Sequence, residues 1–484
     1  MISEHEVVIV GCGFTGIGMA MKLRLAGLRD FVILEKGKDL GGVWRDHTYP
    51  GCGADVPASF YSFSFGPHHD WSSTYPPQPE IWDYLRRCVR DFGLQPHIAY
   101  RQEMLSAAFD EDTHRWTVRT PQGAYRARIL ILATGGLKQP AMPDLGSFTG
   151  QAFHTAAWDH GCALDGKQVA VIGTGASAIQ LVPQIAPQVS RLTLFQRTPP
   201  WILPRPQRVH GPWERQLMRH VPGLRWLRRA IAYWNLEVRG PVLYALPRAG
   251  RLAEAIAHRH LRRQVPDGRL RRLLTPGYRI GCKRILLSGD FLPALTQPHV
   301  ETVTEAIQQI GEREIITTGG RHIKADVIIC ATGYEVIDAY ARTDITGAGG
   351  RSLSDTWSGG LSSYLGVNVA GFPNLFLLLG PYSAAGHTSV LFMAEAQMHY
   401  ILACLNLLRK TRARSLDVRA EAQDRFETDI QRRSRRSVWI AGGCTSWYLD
   451  HTGTNRVMWP KSTVAYWLRT RSPRRTDYHL HPES

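Results

Sequence analysis

Apolar residues in this chain gather into short unbroken runs that end at glycine. Val7-Val-Ile-Val10 runs into Gly11, and Val169-Ala-Val-Ile172 runs into Gly173. Ile129-Leu-Ile-Leu-Ala-Thr-Gly135 and Val327-Ile-Ile-Cys-Ala-Thr-Gly333 end alike, and Leu375–Leu379 is a fifth run, short enough for a buried strand. Runs that are apolar at successive positions suit strands covered on both faces, the condition of a parallel sheet. Helical patterns follow the glycines, at Ile17–Ala26 and from Ala178 toward Ile185, with others at Glu80–Phe92 and Leu252–Gln264. The prediction is an α/β protein of two similar units, each opening on a glycine loop and closing on Ala-Thr-Gly.

The order of these signals places the second unit inside the first. Residues 1–140 form the first part of one dinucleotide-binding domain, 148–337 the inserted domain, and 338–484 the remainder of the first domain with a C-terminal pocket region. Lys138–Ser147, with two prolines and one glycine, reads as the outgoing linker, and the return crossing follows Tyr334. Residues of about 200–280 are rich in Arg, Trp, Leu and Ala and read as a helical insertion. The tail Ser472–Ser484 is expected to be loosely held.

Composition narrows the classes. The chain has 484 residues, is 44% hydrophobic and carries no run of about 18 apolar residues, so no transmembrane helix is expected. The acidic start, Met1–Glu6, is unlike a secretory signal. Eight scattered cysteines include no C-x-x-C pair, which argues against a disulfide scaffold, a zinc site and a dithiol reductase, and points to a reducing cytoplasm. The formal charge of +17 comes mainly from arginine between Arg205 and Arg279. It reads as a solvated helical face, with an anionic partner or a membrane surface as the other reading; no nucleic-acid partner is expected, and nothing besides the charge supports a peripheral membrane contact.

Gly11-Cys-Gly13-Phe14-Thr-Gly16 lies between strand and helix, so backbone N–H groups and the helix N-terminus face a pyrophosphate. Glu35 ends the next strand, where an acid holds a ribose hydroxyl. In the second loop, Gly173-Thr174-Gly175-Ala176-Ser177-Ala178, alanine replaces the third glycine. The following strand ends in Gln196-Arg197-Thr198 and not in an acid. Arginine with a hydroxyl suits the 2′-phosphate of NADPH, whereas an acid would repel it. A solvated arginine at a strand end is the other reading.

Three motifs in order carry a resemblance. Phe148-x-Gly150-x-x-x-His154-x-x-x-Trp158-Asp159 lies between the loops, Gly41-Gly42-Val43-Trp44 leads through Tyr49-Pro-Gly51 to Asp55, and Ala331-Thr-Gly-Tyr334 closes the second unit. With these the chain resembles the Baeyer–Villiger branch of the flavin-dependent monooxygenases; the N- and S-oxygenating branch usually carries Tyr or Phe in place of Trp158. The resemblance implies FAD in the first unit and NADPH in the second. It implies hydride transfer, oxygen addition to give a C4a-peroxyflavin, and attack on a ketone to yield an ester or lactone. Arg284 of Gly281-Cys-Lys283-Arg284 is then the catalytic cation, Asp55 its orienting partner near the flavin, and Lys283 a 2′-phosphate contact. Gly42, Val43, Trp44 and Tyr61 are assigned to the flavin, and Gly53 and Ala54 to the approach of nicotinamide. His154 is assigned an indirect role. Residues 380–390 depart from the form common among ring-ketone oxidisers, and 444–448 and 455–460 are similar to a less characterised subgroup; these regions are expected to shape the substrate pocket, where Trp447 either lines the pocket or fills the core. A heteroatom oxygenase, and more remotely a non-catalytic flavoprotein with a basic binding surface, remain the alternatives. Substrate and oligomeric state are not encoded in these motifs.

Overall fold

The computed structural model describes residues 2–68, 70–137, 139–245, 249–335 and 344–482. Lys138 and residues 336–343, part of the expected crossings, lie outside them. The run at Val7–Val10 is the buried inner end of the strand Ile2–Val10, which pairs in parallel with Phe31–Glu35 on one side and Gly123–Leu132 on the other. Strand Gly123–Leu132 changes neighbour along its outer edge. Its first half pairs antiparallel with Arg115–Thr120, and its second half pairs in parallel with Leu375–Leu377. The chain thus leaves this eight-stranded sheet after Leu132 and rejoins it with the strands Ile345–Thr346 and Leu375–Leu377.

The residues between build a second sheet of five strands, all parallel, in the order 300–303, 191–195, 168–172, 327–330 and 151–154. A three-stranded antiparallel meander, 307–324, is appended to it. One dinucleotide-binding unit is therefore inserted in the other. Helices Phe14–Leu25 and Ala176–Ile185 begin where the glycine loops predict, and the arginine-rich segment is helical, with Pro212–His220, Pro222–Glu237 and Gly250–Gln264 as its main pieces.

Helix Val390–Thr411 is long and apolar enough to cross a membrane, but it packs along Phe14–Leu25 with Met393, Met398, Ile401 and Cys404 in the main core. It is a core helix of the first unit. The tail departs from expectation. Tyr478–Pro482 forms a strand with Ala413–Val418, and the buried Tyr478 hydroxyl meets Tyr400 Oη at 2.6 Å and Asn368 Oδ1 at 2.9 Å. The polar, proline-containing sequence concealed one aromatic anchor whose partners lie far away in the chain.

Asp417, on that paired strand, shares the Gly371 N–H between its two carboxyl oxygens at 3.1 and 3.0 Å. Burial pushes its pKa up to about 7. The folded protein holds this proton more tightly than an unfolded chain, whose aspartates titrate near about 3.9. Its stabilisation is complete below that value and is lost as pH rises through about 7. Thermal midpoints measured at pH 5 and pH 8 should fall further for the wild type than for Asp417→Asn.

Candidate functional site

Both glycine loops open into one cleft of about 1430 Å³, larger than the roughly 300–1,000 Å³ of a single small-molecule pocket. In the first loop Gly11 has φ +105°, and a Cβ there would lie 2.6 Å from Ala133 O. Gly16 lies beneath: its Cβ would sit 1.9 Å from Gly11 O, so the helix can begin only with glycine. Gly173 repeats this, with φ +112° and a Cβ 2.4 Å from Ala331 O, while a Cβ on Gly175 would meet nothing within 4 Å. Both loops therefore turn bare backbone toward the cleft, the form required to cradle a pyrophosphate. The residues present fit two dinucleotides.

Of the residues assigned from sequence to the cofactors and to catalysis, all except Gly16 line this cleft. Glu35 is buried at the strand end; its carboxylate accepts from Cys12 N–H at 2.9 Å, Gly37 N–H at 2.8 Å and Arg45 Nη1 at 2.9 Å. Trp44 Nε1 donates to Tyr61 Oη at 3.2 Å, and Phe14 meets the Tyr61 ring edge-on. In the second unit Thr174 Oγ1 donates to Thr198 O at 3.0 Å, which ties the glycine loop to the strand end carrying Arg197. Among the described residues neither Arg197 nor Lys283 has a salt bridge. Burial, and then the nearby Arg197 charge, lower the Lys283 pKa. Two cations held this way without an acid form a site for an anion.

Arg284 differs. Its Nη2 lies 2.5 Å and its Nε 2.8 Å from Asp55 Oδ2, and the carboxylate raises the pKa of the guanidinium, fixing it as a cation. Tyr448 stands beside the pair; burial foremost pushes its pKa up to about 12, so it remains a neutral phenol. Asp55 lies on a loop of the first unit and Arg284 on one of the second, so the ion pair joins the two.

Three features had no sequence-level forecast. Gln180, a polar residue inside an apolar helix, accepts from Tyr49 Oη at 2.8 Å and donates to Gly53 O at 3.0 Å, docking the second unit on the first. Its position in that helix was the available signal. Arg205 Nη2 donates to Ala54 O at 3.0 Å. Cys282 and Cys444 form a disulfide across 162 residues of sequence, a bridge that the reading of the scattered cysteines did not foresee. Adjacent-pair spacing cannot reveal a bridge of such separation. It joins the loop of Lys283 and Arg284 to that of Thr445, Ser446 and Trp447, and Trp447 lines the cleft instead of filling the core.

The fingerprint stretch is largely architectural. A Cβ on Gly150 would sit 2.5 Å from Asp326 O, Phe148 lies against it, and Trp158 meets Phe153 edge-on. His154 and Ala156 reach the cleft; His154 Nδ1 accepts from Ala156 N–H at 3.0 Å, and burial lowers the histidine's pKa. His47, whose Nε2 lies 2.8 Å from Tyr334 Oη, is likewise lowered by burial, to about 4.

Fold and cleft together define a two-dinucleotide oxidoreductase. A family profile described as pyridine nucleotide-disulphide oxidoreductase matches residues 8–221. The chain is 41% identical to a Baeyer–Villiger monooxygenase of Streptomyces coelicolor, covering 99% of this chain and 93% of that one. It is 42% identical to a Baeyer–Villiger monooxygenase of Pseudomonas aeruginosa, with 98% and 91% covered. Among solved structures, a closed form of cyclohexanone monooxygenase superimposes with a TM-score of 0.88 at 25% identity over the whole of both chains. An oxidised steroid monooxygenase bound to NADP gives 0.88 at 28% identity, covering 99% and 100%. The chain belongs to the Baeyer–Villiger monooxygenase family.

Proposed function

We infer that this protein is an FAD-containing, NADPH-dependent monooxygenase that converts a ketone to an ester or lactone. In the net reaction one atom of O2 enters between the carbonyl carbon and its neighbour. The other leaves as water, with two electrons from NADPH and a proton from solvent. The observation that carries this reading is the Arg284–Asp55 pair, a fixed cation in the wall of the one cleft that both glycine cradles share.

The chemistry FAD supplies when bound is the passage of two electrons from nicotinamide to dioxygen. The chain's own residues bind and orient. Gly11, Gly13, Phe14 and Gly16 receive the flavin pyrophosphate at the helix N-terminus, Glu35 takes the ribose, and Gly42, Val43, Trp44 and Tyr61 close around the ring system. Gly173 to Ser177 receive the second pyrophosphate, with Arg197, Thr198 and Lys283 on the 2′-phosphate. Gly53 and Ala54, whose carbonyls are braced by Gln180 and Arg205, would receive the nicotinamide end of the second dinucleotide. Arg284 stabilises negative charge developing on oxygen during attack at the carbonyl, and Asp55 holds it in place. A cation that needs no proton transfer to be charged suits a step that generates an oxyanion. Residues 1–140, 148–337 and 338–484 are the corresponding domain segments, with the substrate wall in the last.

Product analysis with NADPH, oxygen, a ketone panel and a thioether tests the reading. Esters are expected; a sulfoxide formed while every ketone stays inert would move the protein to heteroatom oxygenation. Absence of any substrate-stimulated NADPH oxidation would make it a binding protein. Arg197→Ala is expected to raise the KM for NADPH about 10- to 100-fold, the worth of a charge-assisted hydrogen bond, and to leave that for NADH nearly unchanged. Equal losses for both coenzymes would remove Arg197 from the 2′-phosphate.

A further inference from the structure

We propose that the helical insertion docks this protein on an anionic lipid bilayer, with helix Pro222–Glu237 lying in the membrane interface. That helix is inverted relative to an ordinary surface helix. Its polar residues other than Asn235 are turned toward the protein. Arg228 pairs with Glu214 at 3.0 Å, and Arg229 donates to Ser62 O at 2.7 Å and meets Glu395 at 3.3 Å. Tyr233 Oη lies 3.1 Å from Thr463 Oγ1, and the buried Glu237 accepts from Thr463 N–H at 2.8 Å. The opposite face carries Leu227, Ile231, Trp234 and Val238, spaced three or four residues apart and each 55–67% exposed. The adjoining helix Pro212–His220 adds Trp213 and Leu217, with Val221 at its end, all exposed.

Scattered exposed apolar residues need no partner, but an ordered stripe held outward by ion pairs on its back does. The buried bonds prevent the helix from rolling to hide the stripe. Tryptophan beside aliphatic residues is the composition that settles at the headgroup boundary.

Charge selects the occupant. Residues 205–279 hold seventeen arginines and no lysine against four acids, Glu214, Glu237, Glu254 and Asp267, which is thirteen of the chain's formal +17. The rest of the protein is nearly balanced. A second copy would bring the same positive field to the contact and be repelled, whereas anionic headgroups attract it at about 1 kcal/mol per basic residue near the surface. Nucleic acid would satisfy the arginines and leave the stripe in water. The stripe also ends near the chemistry. Glu237 lies 3.0 Å from His387, in the loop whose Gly380, Pro381, Ala384 and Thr388 line the cleft. An apolar ketone dissolved in the bilayer would therefore be released beside the cleft wall.

The test is flotation of the FAD holoenzyme with vesicles of 30% phosphatidylglycerol in phosphatidylcholine, and with phosphatidylcholine alone, a composition chosen to span roughly the anionic content that recruits basic segments. Binding is expected to the first, to weaken with added salt, and to fall at least about tenfold in Ile231→Glu/Trp234→Glu, since each buried apolar side chain contributes about 1.5–3 kcal/mol. Turnover of a water-soluble ketone should be unchanged in that variant, which shows it is folded. Three results would overturn the proposal: no flotation with anionic vesicles, binding indifferent to the double substitution, or a dimer in sedimentation that the substitution dissolves. The second would leave the arginines serving an acidic macromolecule, and the third would assign the stripe to a second copy. If the double variant does not fold, Leu227→Gln alone should still lower the bound fraction.

Discussion

Arg284→Ala should remain fully reducible by NADPH and yet lose ester formation by about 10²–10³-fold or more, the effect of removing a preorganised charge from a developing oxyanion. The split between the two half-reactions is the informative part. Arg284 is engaged by Asp55 from another loop, whereas its chain neighbour Lys283 feels the charge of Arg197, so loss of Arg284 should not alter coenzyme binding. Stopped-flow reduction under anaerobic conditions measures the first half, and ester yield with oxygen measures the second. Equal loss in both would place Arg284 in cofactor binding, and an unchanged ester yield would remove it from the reaction. Lysine at 284 should rescue only in part, because an ammonium cannot reproduce the two contacts that Nε and Nη2 make to Asp55.

The second large effect is expected from Gly16→Val. A Cβ 1.9 Å from the Gly11 carbonyl oxygen has no flexible neighbour to displace, because the obstacle is backbone of the same cradle. The protein should purify without yellow flavin absorbance and with a lowered thermal midpoint. Gly175→Ala is the control in the other unit. Its Cβ enters open space at an ordinary φ of −78°, so this variant should keep its flavin and its stability and lose only coenzyme affinity, by about tenfold where the methyl meets a pyrophosphate. A flavin-replete Gly16→Val would show that the first loop is not the pyrophosphate cradle.

These contrasts also show why parts of the protein were legible in sequence and others were not. A phosphate cradle is built from consecutive residues, so strand, glycines and helix announce it locally at 11–16 and 173–178. The parallel strands of both units followed from runs buried on both faces, while the order of the strands in each sheet was not predicted. Arg284 is one arginine in a chain full of them, and only motif resemblance separated it from its neighbours. Gln180, Tyr448 and the Cys282–Cys444 bridge derive their meaning from partners more than a hundred residues away, which no window of sequence contains. The tail was misread for the same reason, since burial of Tyr478 is decided by Tyr400 and Asn368. The arginine-rich segment was read as a solvated helical face, because composition does not reveal which side of a helix such as Pro222–Glu237 the fold turns inward.

The two chain crossings between the units run side by side and are bonded to each other. Ala141 N–H donates to Gly333 O at 2.9 Å, Glu335 N–H to Gln139 O at 3.0 Å, and Thr332 Oγ1 to Ala141 O at 2.5 Å. A paired crossing behaves as a door hinge does. Swinging about the line of the two segments preserves these bonds, while twisting across it shears them. That short ladder and the Gln180 bonds to Tyr49 and Gly53 tie the two units at two separate places, so the second glycine cradle is fixed to the first by more than the chain itself.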